Sequence, residues 1–240
     1  MKLITLQIKT SLDFQTNLNE LKELINSCEE NSLILAPELA LSGFSYDRME
    51  EASTFSIKAI EEIKELSQNK IISLTFITKK DEKYFNTLYL FRNKKIIHTQ
   101  SKIKLFPLGN ELEHFSEGDL KDLKILEIDG IKIAALICFE LRFPELWEKI
   151  KGADIILNPA MWGLKRKEHY ESISKALALV NQCFVVACNS ADDNMAKGSA
   201  IITPFGNVIK DDSKNKIETI FDKDEINKVR KYIDIGLNKK

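Results

Sequence analysis

Cys138 closes an apolar run, AALIC at 134–138, and the chain turns charged at once with Glu140, Arg142 and Glu145. A thiol at the end of a buried strand can be a small apolar filler or a nucleophile. The stretch FPELWEKI that follows reads as a helix start, with Pro144 in its first turn and Glu145 suited to the positive end of the helix dipole. A thiol on such a strand-to-helix turn lies near backbone N–H groups that favour the thiolate and can hold a developing oxyanion. Cys28, in a surface helix, and Cys183 and Cys188, on or beside a buried strand, lack that setting and read as structural.

A thiol nucleophile needs a base. His98 falls inside a strand, His114 in a loop and His169 near a helix start, and nothing in the sequence ties any of them to Cys138. The alternative is a carboxylate with a lysine beside it. SLILAPE runs into Glu38 and IIHTQSK into Lys102, so both repeat the design of an apolar strand ending in charge, the place where layered α/β folds collect ligands. Taken alone, Glu38 also fits a structural salt bridge or a helix cap, and Lys102 a solvated strand-end lysine.

Apolar runs with helix-period segments between them predict about ten strands: LITLQI, SLILA, IISLTFI, TLYLF, KIIHT, KILEI, IKIAALIC, ADIILN, CFVVAC and SAIIT. Residues 14–30 place Leu18, Leu21, Leu24 and Ile25 on one helical face, and residues 55–66 do the same with Ile57, Ile60, Ile63 and Leu66. The short polar link 92–94 and the Asp129-Gly130 pair read as hairpins, so the sheets are expected to be mixed, in a layered α/β sandwich. No repeat or linker suggests a second domain, and residues 1–240 are read as one unit. The tail KVRKYIDIGLNKK reads as a final helix with a frayed end.

Lys plus Arg number 35 against 36 Asp plus Glu, so no global field favours nucleic acid or an acidic membrane. In MKLITLQIKTSL, Gln7 and Lys9 break the apolar run too soon for a signal peptide or a membrane span, and a cytoplasmic protein is expected. The four cysteines form no CxxC and read as free thiols. Scattered histidines predict no metal site, and no glycine-rich phosphate loop is present.

With these residues in place the chain resembles the nitrilase (carbon–nitrogen hydrolase) superfamily, and among its members the small amidases of the ω-amidase type. The matching blocks are APELALSGF at 36–44, SKIKLF at 101–106, GNELEHFSEG at 109–118 and ICFELRFPE at 137–145, with NPAMW at 158–162 and GSAIITPFG at 198–206 beyond them. The resemblance thus spans nearly the whole chain. It implies an α-β-β-α four-layer sandwich, pairing into homodimers, and a cofactor-free site in which Glu38 is the general base, Lys102 stabilises the tetrahedral intermediate, Cys138 is the nucleophile and Glu111 positions Lys102 and substrate. The Phe139 N–H would complete the oxyanion site.

The expected activity is hydrolysis of a small ω-amide to a carboxylic acid and ammonia through a thioester. Arg142 is read either as a partner for a substrate carboxylate or as a structural partner of Glu140 or Glu145, and Phe139 and Trp162 either as pocket walls or as aromatic packing. Three departures from the family pattern stand out. Glu140 replaces a common Asp, Lys104 adds a second lysine near Lys102, and KALALVN lacks the usual Arg and Glu. Nitrile and N-carbamoyl amino acid substrates therefore stay open, as do a catalytically silent binding or scaffold member and a redox-sensing thiol protein.

Overall fold

The computed structural model describes residues 1–237, so the end of the expected frayed tail, 238–240, lies outside the described residues. One sheet holds β1 (Lys2–Leu6), β2 (Ser32–Leu35), β3 (Lys70–Lys80), β4 (Lys83–Arg92), β5 (Lys95–Ser101) and β12 (Lys216–Ile220), in the order β12-β1-β2-β3-β4-β5. The other holds β6 (Leu126–Ile128), β7 (Ile131–Ala135), β8 (Ile155–Ala160), β9 (Phe184–Asn189), β10 (Ala200–Ile202) and β11 (Val208–Lys210), in the order β11-β10-β9-β8-β7-β6. Each has three parallel central strands, β1-β2-β3 and β7-β8-β9, flanked by antiparallel neighbours.

The central strands β1, β2, β8 and β9 are buried on both faces because both are covered, whereas the edge strands β5, β6, β11 and β12 are largely exposed. Leu3, Leu33, Leu35 and Ile71 share a core with the second sheet, while Ile4, Leu6, Ile34, Ile72 and Leu74 pack against α1 (Phe14–Ser27) and α2 (Met49–Leu66). On the far side α4 (Pro144–Lys149), α5 (Lys167–Asn181) and α6 (Lys223–Tyr232) bring Leu146, Leu177, Ala178 and Ile226 onto the second sheet. The result is the four-layer α-β-β-α sandwich. Truncating a fully buried leucine such as Leu33 to alanine would cost roughly 2–5 kcal/mol.

Both expected hairpins are present. Asn93 and Lys94 join β4 to β5 with φ of 46° and 58°, and Asp129 and Gly130 join β6 to β7 with φ of 52° and 73°. Two positive φ values in a row match the twist of the strands they connect. The structure adds β11 and β12, whose short stretches lack an apolar run, and it starts α2 at Met49 rather than at 55. Ile57 is 70% exposed, contrary to its expected place on the buried stripe. The stripe is carried instead by Ala52, Ser56, Ala59, Ile60 and Ile63, and at 100° per residue Ile57 falls off its edge. No helix of the described residues is long and apolar enough to cross a membrane.

Candidate active site

The ends of β2, β5 and β7 converge where the two sheets meet. Just past β2, the Glu38 N–H donates to the Ala160 carbonyl at 3.3 Å, which ties this loop to the end of β8 in the other sheet. Leu39 turns left-handed, with φ 48°, and its N–H is held by Thr75 Oγ1 at 2.6 Å. Glu38 is fully buried. Its Oε1 accepts from Asn86 Nδ2 on β4 at 2.8 Å, while its Oε2 is buried and accepts no hydrogen bond. A carboxylate with one oxygen fixed and the other left over is suited to taking a proton.

Lys102 follows β5, and its backbone is clamped on both sides. Its N–H donates to the Asn86 carbonyl and its carbonyl accepts from the Gly118 N–H, both at 2.8 Å. A Cβ at position 118 would lie 2.1 Å from the Ser101 carbonyl oxygen, so only glycine permits this approach. The side chain is fully buried, with Nζ 2.7 Å from Glu38 Oε1 and 2.7 Å from Glu111 Oε1. Glu111 opens the one-turn helix α3 (Glu111–His114), and its Oε2 accepts the Phe106 N–H at 3.1 Å. His114, expected in a loop, ends that helix and stacks on Tyr46 at 4.0 Å.

Cys138 lies three residues beyond the end of β7, not on the strand itself, and opens a 3-10 turn over 138–142. Its φ of 49° is uncommon for a residue with a side chain and marks stored strain at the turn. The turn's first N–H groups have no partner within it. Glu140, fully buried, accepts the Ile103 N–H and the Ile137 N–H, both at 2.6 Å.

Burial pushes the Cys138 thiol well above its ordinary range, and Glu38 and Glu111 push it further against the opposing pull of Lys102. The resting thiol is therefore neutral. Burial draws the Lys102 ammonium down, but Glu38, Cys138 and Glu111 outweigh it and hold it above its ordinary value, so it stays cationic. Glu111 is pushed up to about 7 by burial, against Lys102, and Glu140 to about 7 by burial, against its backbone donors.

Two adjoining cavities meet at Cys138. One is lined by Phe106, Phe139, Arg142, Met161, Trp162 and Arg166 as well as the cysteine. The other adds Glu38, Phe44, Tyr46 and Glu111, and has a volume of about 250 Å³, room for a small molecule. Trp162 is buried and Phe139 packs between Phe106 and Phe143, at ring distances of 5.0 Å and 5.1 Å, so both line the pocket and fill the core. Arg142 pairs with neither Glu140 nor Glu145. Its Nη2 lies 3.1 Å from His169 Nδ1 and its guanidinium lies over Trp162 at 4.6 Å.

Lys104 points elsewhere, 3.7 Å from Glu145, so Lys102 alone of the two lies between the glutamates. Glu140 lines neither cavity. Sequence reasoning missed Asn86 and Arg166. An amide at the head of the apolar run NTLYLF in β4 was a usable signal for the first, whereas Arg166 sits unmarked in the polar run LKRKEH.

The carbon-nitrogen hydrolase family model matches residues 3–233. The 2-oxoglutaramate amidase of Bacillus subtilis (strain 168) is 30% identical over 216 residues, covering 85% of this chain and 83% of that one. The omega-amidase YafV of Yersinia enterocolitica is 27% identical, covering 76% and 71%. Among solved structures, Saccharomyces cerevisiae Nit3, a member of branch 10 of the nitrilase superfamily, superposes with a TM-score of 0.85 at 22% identity, covering 98% of this chain and 95% of that one.

Proposed function

We propose, for a chain that belongs to the carbon–nitrogen hydrolase family, that its amidase activity runs through a Cys138 thioester with Glu38 as base and Lys102 as the fixed cation. The protein is a hydrolase of carbon–nitrogen bonds other than peptide bonds, and its relatives support a small-molecule amide as substrate. One observation carries the thiol reading: Lys102 Nζ sits between Glu38 and Glu111, and those two glutamates line the same cavity as Cys138.

In this mechanism the free Oε2 of Glu38 takes the Cys138 proton as the sulfur bonds to the amide carbonyl carbon. The new oxyanion is held by Lys102 and the Phe139 N–H. The C–N bond breaks, Glu38 returns its proton to the nitrogen, and ammonia leaves. Water then attacks the thioester as Glu38 takes a proton from it, the carboxylic acid departs, and Glu38 reprotonates the thiolate. Glu111 orients Lys102 throughout. A neutral thiol at rest agrees with this order, because the proton moves only when substrate is present. The trio supplies nucleophile, base and charge, so the reaction needs no cofactor. The proposal includes a cytoplasmic homodimer built from one domain over residues 1–240, acting on ω-amides as the named relatives do.

The test is ammonia release across small ω-amides, nitriles and N-carbamoyl amino acids, for the wild type and Cys138→Ala. Amides are expected to be the best substrates and the variant to be inactive. Release that survives loss of the thiol removes the mechanism, and faster turnover of nitriles or carbamoyl compounds removes the amide assignment.

A further inference from the structure

We propose that Tyr46 is a positioning residue, which latches the segment bearing Glu111 to the loop bearing Glu38 and so keeps Lys102 centred between the two carboxylates; this rests on the amidase reading above. Tyr46 opens the 3-10 turn Tyr46–Arg48, which follows Glu38 in the connection between β2 and α2. Its hydroxyl donates to the Gly109 carbonyl at 2.5 Å, 63 residues away along the chain. Its ring lies flat on the His114 ring, 4.0 Å away and 11° from parallel. Gly109 and His114 stand on either side of Glu111, so one phenol grips the segment before and after the glutamate. The same side chain lines the cavity that Glu38, Glu111 and Cys138 share.

The segment needs such a grip. It consists of the 3-10 turn Pro107–Gly109 and the one-turn helix α3, both too short to hold their shape alone. Of residues 107–114 only Glu111 is buried, while Leu108 and Leu112 are 84% and 58% exposed. Among the described residues, the hydrogen bonds that reach it from outside 106–115 are Lys102 to Glu111 and Tyr46 to Gly109. The first is the contact whose geometry has to be fixed, so the second must do the fixing. Tyr46 is held in turn by the ring edges of Phe44 and Phe115, at 5.9 Å and 6.1 Å. Burial and the nearby Glu111 hold its hydroxyl proton above the ordinary range, against the pull of Lys102, so it stays a donor at any working pH.

The consequence falls on rate. Lys102 Nζ lies 2.7 Å from a carboxylate oxygen on each side. If Glu111 recedes, the ammonium is drawn to Glu38 alone, which takes it away from the oxyanion and leaves the base in a closer ion pair that weakens its hold on a proton. Acylation and hydrolysis of the thioester both slow. The cavity walls formed by Phe139, Met161 and Trp162 keep their places, so substrate binding changes little.

The experiment measures ammonia release from the monoamide of butanedioic acid, an ω-amide, together with amide hydrogen exchange along the chain. Tyr46→Phe keeps the ring stack and removes only the hydroxyl. It should lower kcat at least about 10-fold with KM changed less than about 2-fold, since a small misplacement of a reacting charge costs rate rather than binding. Glu111→Gln should also be slower than the wild type, and adding Tyr46→Phe to it should cost little more, because the hydroxyl acts through Glu111. Exchange at 107–114 should quicken in Tyr46→Phe while β2 and β5 keep their wild-type rates, a readout independent of turnover. Wild-type kcat in Tyr46→Phe, losses that multiply in the double variant, or exchange that is unchanged at 107–114 or quickened throughout would each overturn the proposal and leave the thiol mechanism standing. A wild type that releases no ammonia from this or any other small amide removes the amidase reading and the rate role with it, while exchange still decides whether Tyr46 holds the segment.

Discussion

Glu140 accepts the backbone N–H of Ile103 at 2.6 Å, across a span of 37 residues and between the two sheets. Its other oxygen accepts the Ile137 N–H at 2.6 Å. One buried carboxylate therefore fastens the backbone next to Lys102 to the backbone next to Cys138. In sequence Glu140 bears on substrate choice, as a departure from a common Asp two residues after the nucleophile. In the structure it lines neither cavity and ties together the backbone segments that carry Lys102 and Cys138.

Replacing Glu140 should therefore act on rate more than on substrate choice. Glu140→Gln keeps the size but turns an NH2 toward one of two N–H groups, leaving a buried donor unpaired at a cost of about 1–3 kcal/mol. The expected result is a fall in kcat of about 10- to 100-fold with a similar fold-loss for every amide tested, and a lower urea midpoint. A variant with wild-type kcat would remove Glu140 from any positioning role.

Glu38→Gln tests the base. The amide keeps the contact to Asn86 or Lys102 but cannot take the thiol proton, so acylation becomes slow and water is no longer activated against the thioester. Intact-mass measurement during turnover should show steady-state rates reduced by about 10³-fold or more, with any acyl adduct on Cys138 persisting. Wild-type turnover in this variant would take the base role from Glu38.

Much of this site could be read from sequence for one physical reason. The buried ends of β2 and β7 spell apolar runs that stop at Glu38 and just after Cys138, whereas β5, ahead of Lys102, is an edge strand with Ile96 and Ile97 exposed, so the apolar run expected there is not a buried one. Glu111 has no such signal, because ELEH looks like a surface turn until Lys102 draws it in. Arg166 was hidden for the same reason, since its place at the cavity depends on how the loop after β8 packs. β12 escaped notice because its residues 216–220, KIETI, bury one side chain and owe their extended form to pairing with β1 across the fold. Local pattern revealed what burial dictates, and long-range pairing decided the rest.

Glu111 also predicts how stability should vary with pH. Burial raises its carboxyl from about 4.5 in the unfolded chain to about 7 in the folded one. Between those values the folded state holds a proton that the unfolded state has lost, so stability falls as pH rises through the interval and levels off above it. One such group contributes a slope of at most about 1.4 kcal/mol per pH unit. Urea unfolding from pH 4.5 to 8 should show a shallower decline in Glu111→Gln than in the wild type. Parallel curves for the two proteins would show that Glu111 does not titrate in this range.

The homodimer expectation can be located on the surface. Leu179 and Val180, at the end of α5, are 45% and 59% exposed, and Phe205 and Val208 are 48% and 42% exposed. The loop carrying Phe205 meets α5, since a Cβ on Gly206 would lie 3.0 Å from Leu179 Cδ2. Exposed apolar side chains on α5, the loop beside it and the edge strand β11 are a surface that a second copy would cover. Sedimentation at about 10 μM should give twice the chain mass, a concentration at which an interface of standard size is largely formed. Leu179→Asp combined with Val180→Asp should give monomers with an unchanged far-ultraviolet spectrum. A wild type that sediments as a monomer would end the dimer expectation, and a double variant that stays dimeric would move the interface to another face.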